Sequence, residues 1–147
     1  MIRQDDSRFS ENPNIKEFAC VLFQYLYLGN KLAAFSLGIP EIKALIDIFQ
    51  QKGFLSQEMD VNEPDQILSY MGVDAEPVRA ESANYIFAPG EYGFRMWSYT
   101  DATGKLWSHA IGDDGNGHQT YDPLGRSHCG RLGKPTDCRV FKLRGAV

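Results

Sequence analysis

The chain has 147 residues, 43% of them hydrophobic and 12% aromatic, enough for one packed domain over 1–147 and too much for a chain without a core. No apolar run reaches the roughly eighteen residues that a membrane-spanning helix needs. The net charge of −4 is unevenly spread: Met1–Asp122 holds 9 basic and 18 acidic residues, and Pro123–Val147 holds 6 basic and one acidic. That basic tail has a single aromatic, Phe141, so it reads as a solvated or packed segment and not as a nucleic-acid surface.

Met1–Asn14 is polar with both charge signs, the wrong order for a secretory leader. A cytoplasmic product is expected, reaching the outside only through a phage or a secretion system. Helical periodicity then dominates over about 15–72. A first helix is expected over Ile15–Leu28, capped by Asn12 before Pro13 or by Asn14 with Glu17 three residues on. Ile15, Phe18, Ala19, Leu22, Tyr25, Leu26 and Gly29 form its apolar stripe. A second helix is expected from Pro40 to about Lys52, stopped by Gly53, and a third over Pro64–Met71 before Gly72.

From about Glu76 the texture changes to short runs broken by glycine, the sheet part reaching to about 145. Strands are expected at Tyr85–Ala88, Tyr92–Tyr99, Lys105–Gly112, His118–Asp122 and Arg139–Leu143. Asp101–Gly104 and Asp113–Gly117 read as hairpin turns. Helices first and an antiparallel meander afterwards make the fold class α+β.

Three cysteines, Cys20, Cys129 and Cys138, fit no disulfide framework. Cys20 falls off the apolar stripe, on the side of Lys16, Gln24 and Tyr27. A position near a helix start favours a thiolate, because free N–H groups and the macrodipole stabilise the anion. A buried, inert thiol is the other reading. His109 shares a strand face with Trp107 and Ile111. If Gly115-Asn116 is a two-residue turn, His109 stands directly opposite Asp122, with Cβ atoms about 4.5–5.5 Å apart. That placement suits a carboxylate holding one ring nitrogen while the other meets a thiol. A slip of a single residue would put the two on opposite faces.

A buried helix bearing Cys20, then Ser108-His109-Ala110-Ile111, then Thr120-Tyr121-Asp122-Pro123 resembles the papain-like cysteine peptidases, nearest to the double-glycine (bacteriocin-processing) type of bacteria and phages. The resemblance implies a papain-like fold with the nucleophile on the first helix. It also implies a Cys20–His109–Asp122 triad without a cofactor or metal, acting on a peptide, protein or cell-wall peptide. It places the oxyanion-binding role at Asn14, where those families carry Gln, and Trp107 and Tyr121 as walls of the cleft. The chain departs from the pattern in reading Ala19-Cys20-Val21, without glycine beside the nucleophile. A non-catalytic papain-like module that binds a protein partner is therefore the alternative, and an acyl transferase would use the same triad.

His118, His128, Cys129 and Cys138 match no common zinc spacing. Asp113–Gly117 lacks the later glutamate of a calcium loop, and Gly112–Gly117 lacks the Lys-Ser/Thr of a phosphate loop.

Overall fold

A computed structural model describes residues 1–145. The chain is α+β. After a 3-10 turn at Ser7–Phe9 come helices α1 (Pro13–Phe18), α2 (Cys20–Ala33), α3 (Ile39–Gln51) and α4 (Pro64–Tyr70). Strands β1 (Arg79–Ser82), β2 (Glu91–Thr100) and β3 (Leu106–Gly112) follow, then a short helix α5 (His128–Leu132) and strand β4 (Lys134–Lys142).

The expected single helix over Ile15–Leu28 is two helices, parted at Ala19 (φ −86°, ψ 13°). The cause lies outside the segment. The buried Gln4 amide donates to the carbonyls of Ile15 (3.3 Å) and Lys16 (2.7 Å). In a continuous helix the Lys16 carbonyl would accept from the Cys20 amide. Cys20 is instead the first residue of α2.

The sheet is antiparallel throughout, in the order β1-β4-β2-β3. It is not the expected meander, because β4 inserts between β1 and β2. β4 presents Cys138, Val140 and Phe141 to the interior, so it needs partners on both sides, whereas the charged β1 serves as an edge. Charge also hid β1 from periodicity. The expected strand Tyr85–Ala88 is irregular chain: the Arg95 guanidinium takes the carbonyls of Ala83 (2.9 Å) and Tyr85 (2.7 Å). The expected strand His118–Asp122 reduces to one bridge, Asp113 with Gln119. The Asp113 and Asp114 carboxylates cap the amides of the intervening turn instead.

Helix α2 contributes Leu22, Phe23 and Leu26, fully buried, to one core cluster with Ile42 and Phe49 of α3, Ile67 of α4 and Phe94 of β2. Tyr25 meets Phe94 edge to face at 5.3 Å. The side of α2 that carries Gln24, polar in sequence, packs on β3 and is also buried. Among the described residues, no helix is long and apolar enough to cross a membrane.

One ion pair is wholly interior: Arg95 Nε donates to Asp113 Oδ2 at 2.8 Å, and both side chains are at most 2% exposed. Removing one member strands the other charge. Arg95→Met is expected to lower the unfolding free energy by about 3–5 kcal/mol in urea titration. The double variant Arg95→Met/Asp113→Leu should recover part of that loss, since no charge is then left unpaired.

Candidate active site

Strand β3 carries His109 at the point where its side chains pass from exposed to buried. Its Nε2 meets Asp122 Oδ1 at 2.7 Å. Asp122 lies in the loop that returns from the Asp113–Gln119 bridge and does not face His109 across a regular ladder. The Gly112 amide bonds to the Tyr121 carbonyl and the Thr120 amide to the Gly112 carbonyl, so two residues oppose one. The expected contact therefore forms, but through an irregularity and not through the direct pairing that a two-residue turn would give.

Asp122 is saturated. Oδ1 also accepts from the Leu124 amide (2.9 Å), and Oδ2 accepts from Ser127 Oγ (2.6 Å) and the Ser127 amide (3.0 Å). Ser127 in turn caps α5 by accepting from the Gly130 amide at 3.1 Å. Gly130 packs close here: a Cβ would lie 2.9 Å from Ile111 Cδ1, 3.1 Å from Gln119 Oε1 and 3.2 Å from Asp122 Oδ2, so those side chains would have to give.

Cys20, half-buried, lines the same cleft as the His109 ring, and its nearness helps to raise the ring's pKa. Nε2 is engaged by Asp122, which leaves Nδ1 for the sulfur. The thiol thus stands at the first turn of α2, where backbone amides lack partners within the helix and no side chain caps them.

Two buried glutamines hold this arrangement. Gln24, one turn along α2 from Cys20, donates to the carbonyls of Ala110 and Tyr121, both at 3.1 Å. Those residues adjoin His109 and Asp122. Gln4 ties the other side: its amide nitrogen takes Ile15 and Lys16 ahead of Cys20, while its backbone N–H donates to the Pro123 carbonyl at 2.9 Å. In both glutamines the side-chain oxygen is buried without a partner. Only Gln24 carried a signal in sequence, its place on the Cys20 side of the helix. Gln4 and Ser127 carried none.

Cys20, His109, Ser127 and Cys129 open onto one cleft of 690 Å³, rimmed by Phe18, Tyr99, Trp107 and several charged side chains. Trp107 is half exposed, its indole N–H held by Asp101 Oδ2 at 3.0 Å. Two expected members stand elsewhere. Asn14 donates its side-chain amide to the Gln57 carbonyl at 3.2 Å and does not line the cleft with Cys20. Tyr121 is buried, stacked on Tyr27 at 4.8 Å with its hydroxyl donating to the Ile2 carbonyl at 2.8 Å, a packing role and not a cleft wall. Among the described residues, no group of three or more His, Cys, Asp or Glu could hold a metal ion. His118 pairs with Asp114 in solvent, and His128 stands edge-on to Tyr99.

Burial is the largest influence on His109 and would lower its pKa. The hydrogen bond to Asp122 and the interactions with Cys20 outweigh it and push the imidazole up to about 9. For Asp122 burial acts upward, but the hydrogen bonds from His109, Ser127 and Leu124 hold the carboxylate well below its usual range. Burial, then the charges of Asp122 and Cys20, push the Cys129 thiol up, so it stays protonated.

Fold and site define an α+β protein in which a helix start, a strand and a loop join a thiol, an imidazole and a carboxylate. The chain belongs to the family described as protein of unknown function, DUF261, whose model matches residues 1–143. No curated protein and no solved structure matches it significantly.

A folded-state pKa near 9 for His109 stabilises the fold fully below the free value of about 6.5 and is lost as pH rises through 9. Proton NMR of the ring should show that titration. In Asp122→Asn the midpoint should fall by more than one unit, since burial is then less opposed. A wild-type midpoint at about 6.5 would contradict the geometry. Gln24→Met removes both tethers at constant length. It should cost about 1–3 kcal/mol in urea unfolding and slow alkylation of Cys20 by iodoacetamide, with Gln24→Leu as a second variant.

Proposed function

We propose that the protein is a cysteine hydrolase cleaving a peptide-like amide bond, with Cys20 as nucleophile, His109 as base and acid, and Asp122 as the group that orients the ring. One observation carries this reading: the His109 ring is held by Asp122 at Nε2, and ring and Cys20 thiol, the latter at a helix start, line one cleft. The papain-like likeness is part of the same proposal, supported by the order of the three residues and by helices packed on an antiparallel sheet.

The chemistry follows from the charges. With its pKa raised, the imidazole holds a proton at neutral pH, the form that complements a thiolate. The sulfur attacks the carbonyl carbon, and the developing oxyanion faces the amides at the start of α2. His109 passes its proton to the leaving nitrogen as the C–N bond breaks, giving a thioester on Cys20 and a free amine. Water then loses a proton to His109, attacks the thioester and releases the acid, and the proton returns to the Cys20–His109 pair. Asp122, saturated by four hydrogen bonds, keeps Nδ1 aimed at sulfur without taking the proton.

The test combines peptides and cell-wall peptide fragments with mass spectrometry of both products and protein. Wild-type protein should cleave an amide and carry a thioester at Cys20. Cys20→Ala should do neither, and His109→Ala should lower the rate by roughly a hundred-fold or more. Iodoacetamide labelling of Cys20 that is equally fast in His109→Ala and wild type would overturn the assignment.

A further inference from the structure

The charged rim of the cleft departs from the rest of the molecule. Of the eight arginines, six are ion-paired with Asp or Glu: Arg3, Arg8, Arg79, Arg95, Arg139 and Arg144. Among the described residues Arg126 and Arg131 have no carboxylate, and both lie in the segment just after Asp122 that walls the site. Arg126 lines the cleft, and so do Lys16 and Lys105, which also have none. The acidic members of the lining are Asp5, which Arg3 neutralises at 2.7 Å, and Glu17, exposed on α1. A chain of net charge −4 thus keeps three uncompensated cations against one uncompensated carboxylate around a single cleft.

Lys105 is fixed without being neutralised. Its ammonium lies 3.9 Å from the centre of the Trp107 ring, and Asp101 pins that ring through the indole N–H. Asp101 in turn accepts from the Thr103 and Lys105 amides, which shapes the hairpin tip. Lys105 and Arg126 flank His109 and Asp122 in sequence and line the cleft with His109. Lys16 stands one turn before Cys20.

We propose that the cleft selects amide substrates bearing a carboxylate on the leaving-group side, bound by Lys105 and Arg126: an acidic peptide. This deepens the hydrolase reading and rests on it for the cleavage, though not for the recognition of the anion.

Two alkylating agents of equal reach isolate the charge. Iodoacetate and iodoacetamide both lose iodide as the Cys20 sulfur bonds to their CH2 carbon, and they differ only in carboxylate against amide. The probe is the ratio of their rates at Cys20, read by mass spectrometry of the Cys20 peptide. Lys105→Gln/Arg126→Gln should lower the ratio by about three- to ten-fold at low salt, and about 0.5 M salt should erase most of the difference. Lys52→Gln, outside the cleft, should leave it unchanged. Alanine-based quenched peptides with Glu, Gln or Lys after the cleaved bond give the second readout, with kcat/KM expected in the order Glu, Gln, Lys and flattened in the double variant.

A ratio indifferent to the double variant overturns the proposal. So does cleavage of Glu and Lys peptides at equal rates, or tighter binding of a phosphopeptide or an oligonucleotide to Cys20→Ala than of the Glu peptide. A ratio that responds while no peptide is cleaved supports the anion site and removes the hydrolase reading alone.

Discussion

The site depends on a helix that stops and restarts inside the protein. Ala19 has no exposed surface, so the break between α1 and α2 is not fraying at an end. A buried break leaves carbonyls and amides unpaired, and each such group costs free energy unless something replaces the lost bond. Gln4 supplies the replacement on the carbonyl side alone. The amide side, at Cys20, keeps its unused donors and faces a cleft. The asymmetry turns a structural fault into a positive helix end next to a thiol.

Gln4 and Gln24 solve one problem in the same way. Each places its N–H groups on two main-chain carbonyls, Gln4 on neighbours in α1 and Gln24 on β3 and the loop before Asp122, and leaves its own oxygen buried and idle. An idle acceptor costs on the order of 1–3 kcal/mol, so neither residue is the cheapest filling for its place. What each provides is distance. Gln24 fixes α2 against the flanks of His109 and Asp122, and Gln4 fixes the approach to α2 against the chain after Asp122. Apolar packing alone would let the helix slide by fractions of an ångström, and a thiol–imidazole contact is sensitive to that.

The sequence disclosed those parts whose cause is local. Helices α3 and α4 carry their proline starts and glycine stops, and both fall within a residue of the expected bounds. Strands β2 and β3 share a turn built by Asp101 and Gly104, so they were legible too. The parts with non-local causes were not. Nothing near Ala19 announces a break, because Gln4 imposes it from fifteen residues away. Arg79-Ala80-Glu81-Ser82 lacks an apolar alternation and becomes a strand only because β4 offers it an edge. The Asp113–Gln119 turn is longer than two residues, since two Asx side chains cap its amides, yet the bulge beyond Gly112 restores the meeting of His109 and Asp122. Asn14 was placed by resemblance alone, and its side chain is engaged by the Gln57 carbonyl.

The remaining step is electrostatic. A histidine this deeply buried would ordinarily be neutral, because burial is the strongest influence on it and acts downward. It is charged through Asp122 and Cys20, and Asp122 is held ionised by His109 together with three further hydrogen bonds from Ser127 and Leu124. Ser127 is placed by its cap on α5, whose Gly130 leaves room beside Ile111, Gln119 and Asp122. The charge on the ring therefore traces back, contact by contact, through Asp122 to Ser127 and the start of α5. The same helix and loop carry the two arginines without carboxylates, so the segment that charges the imidazole also sets the field a substrate meets on entering the cleft.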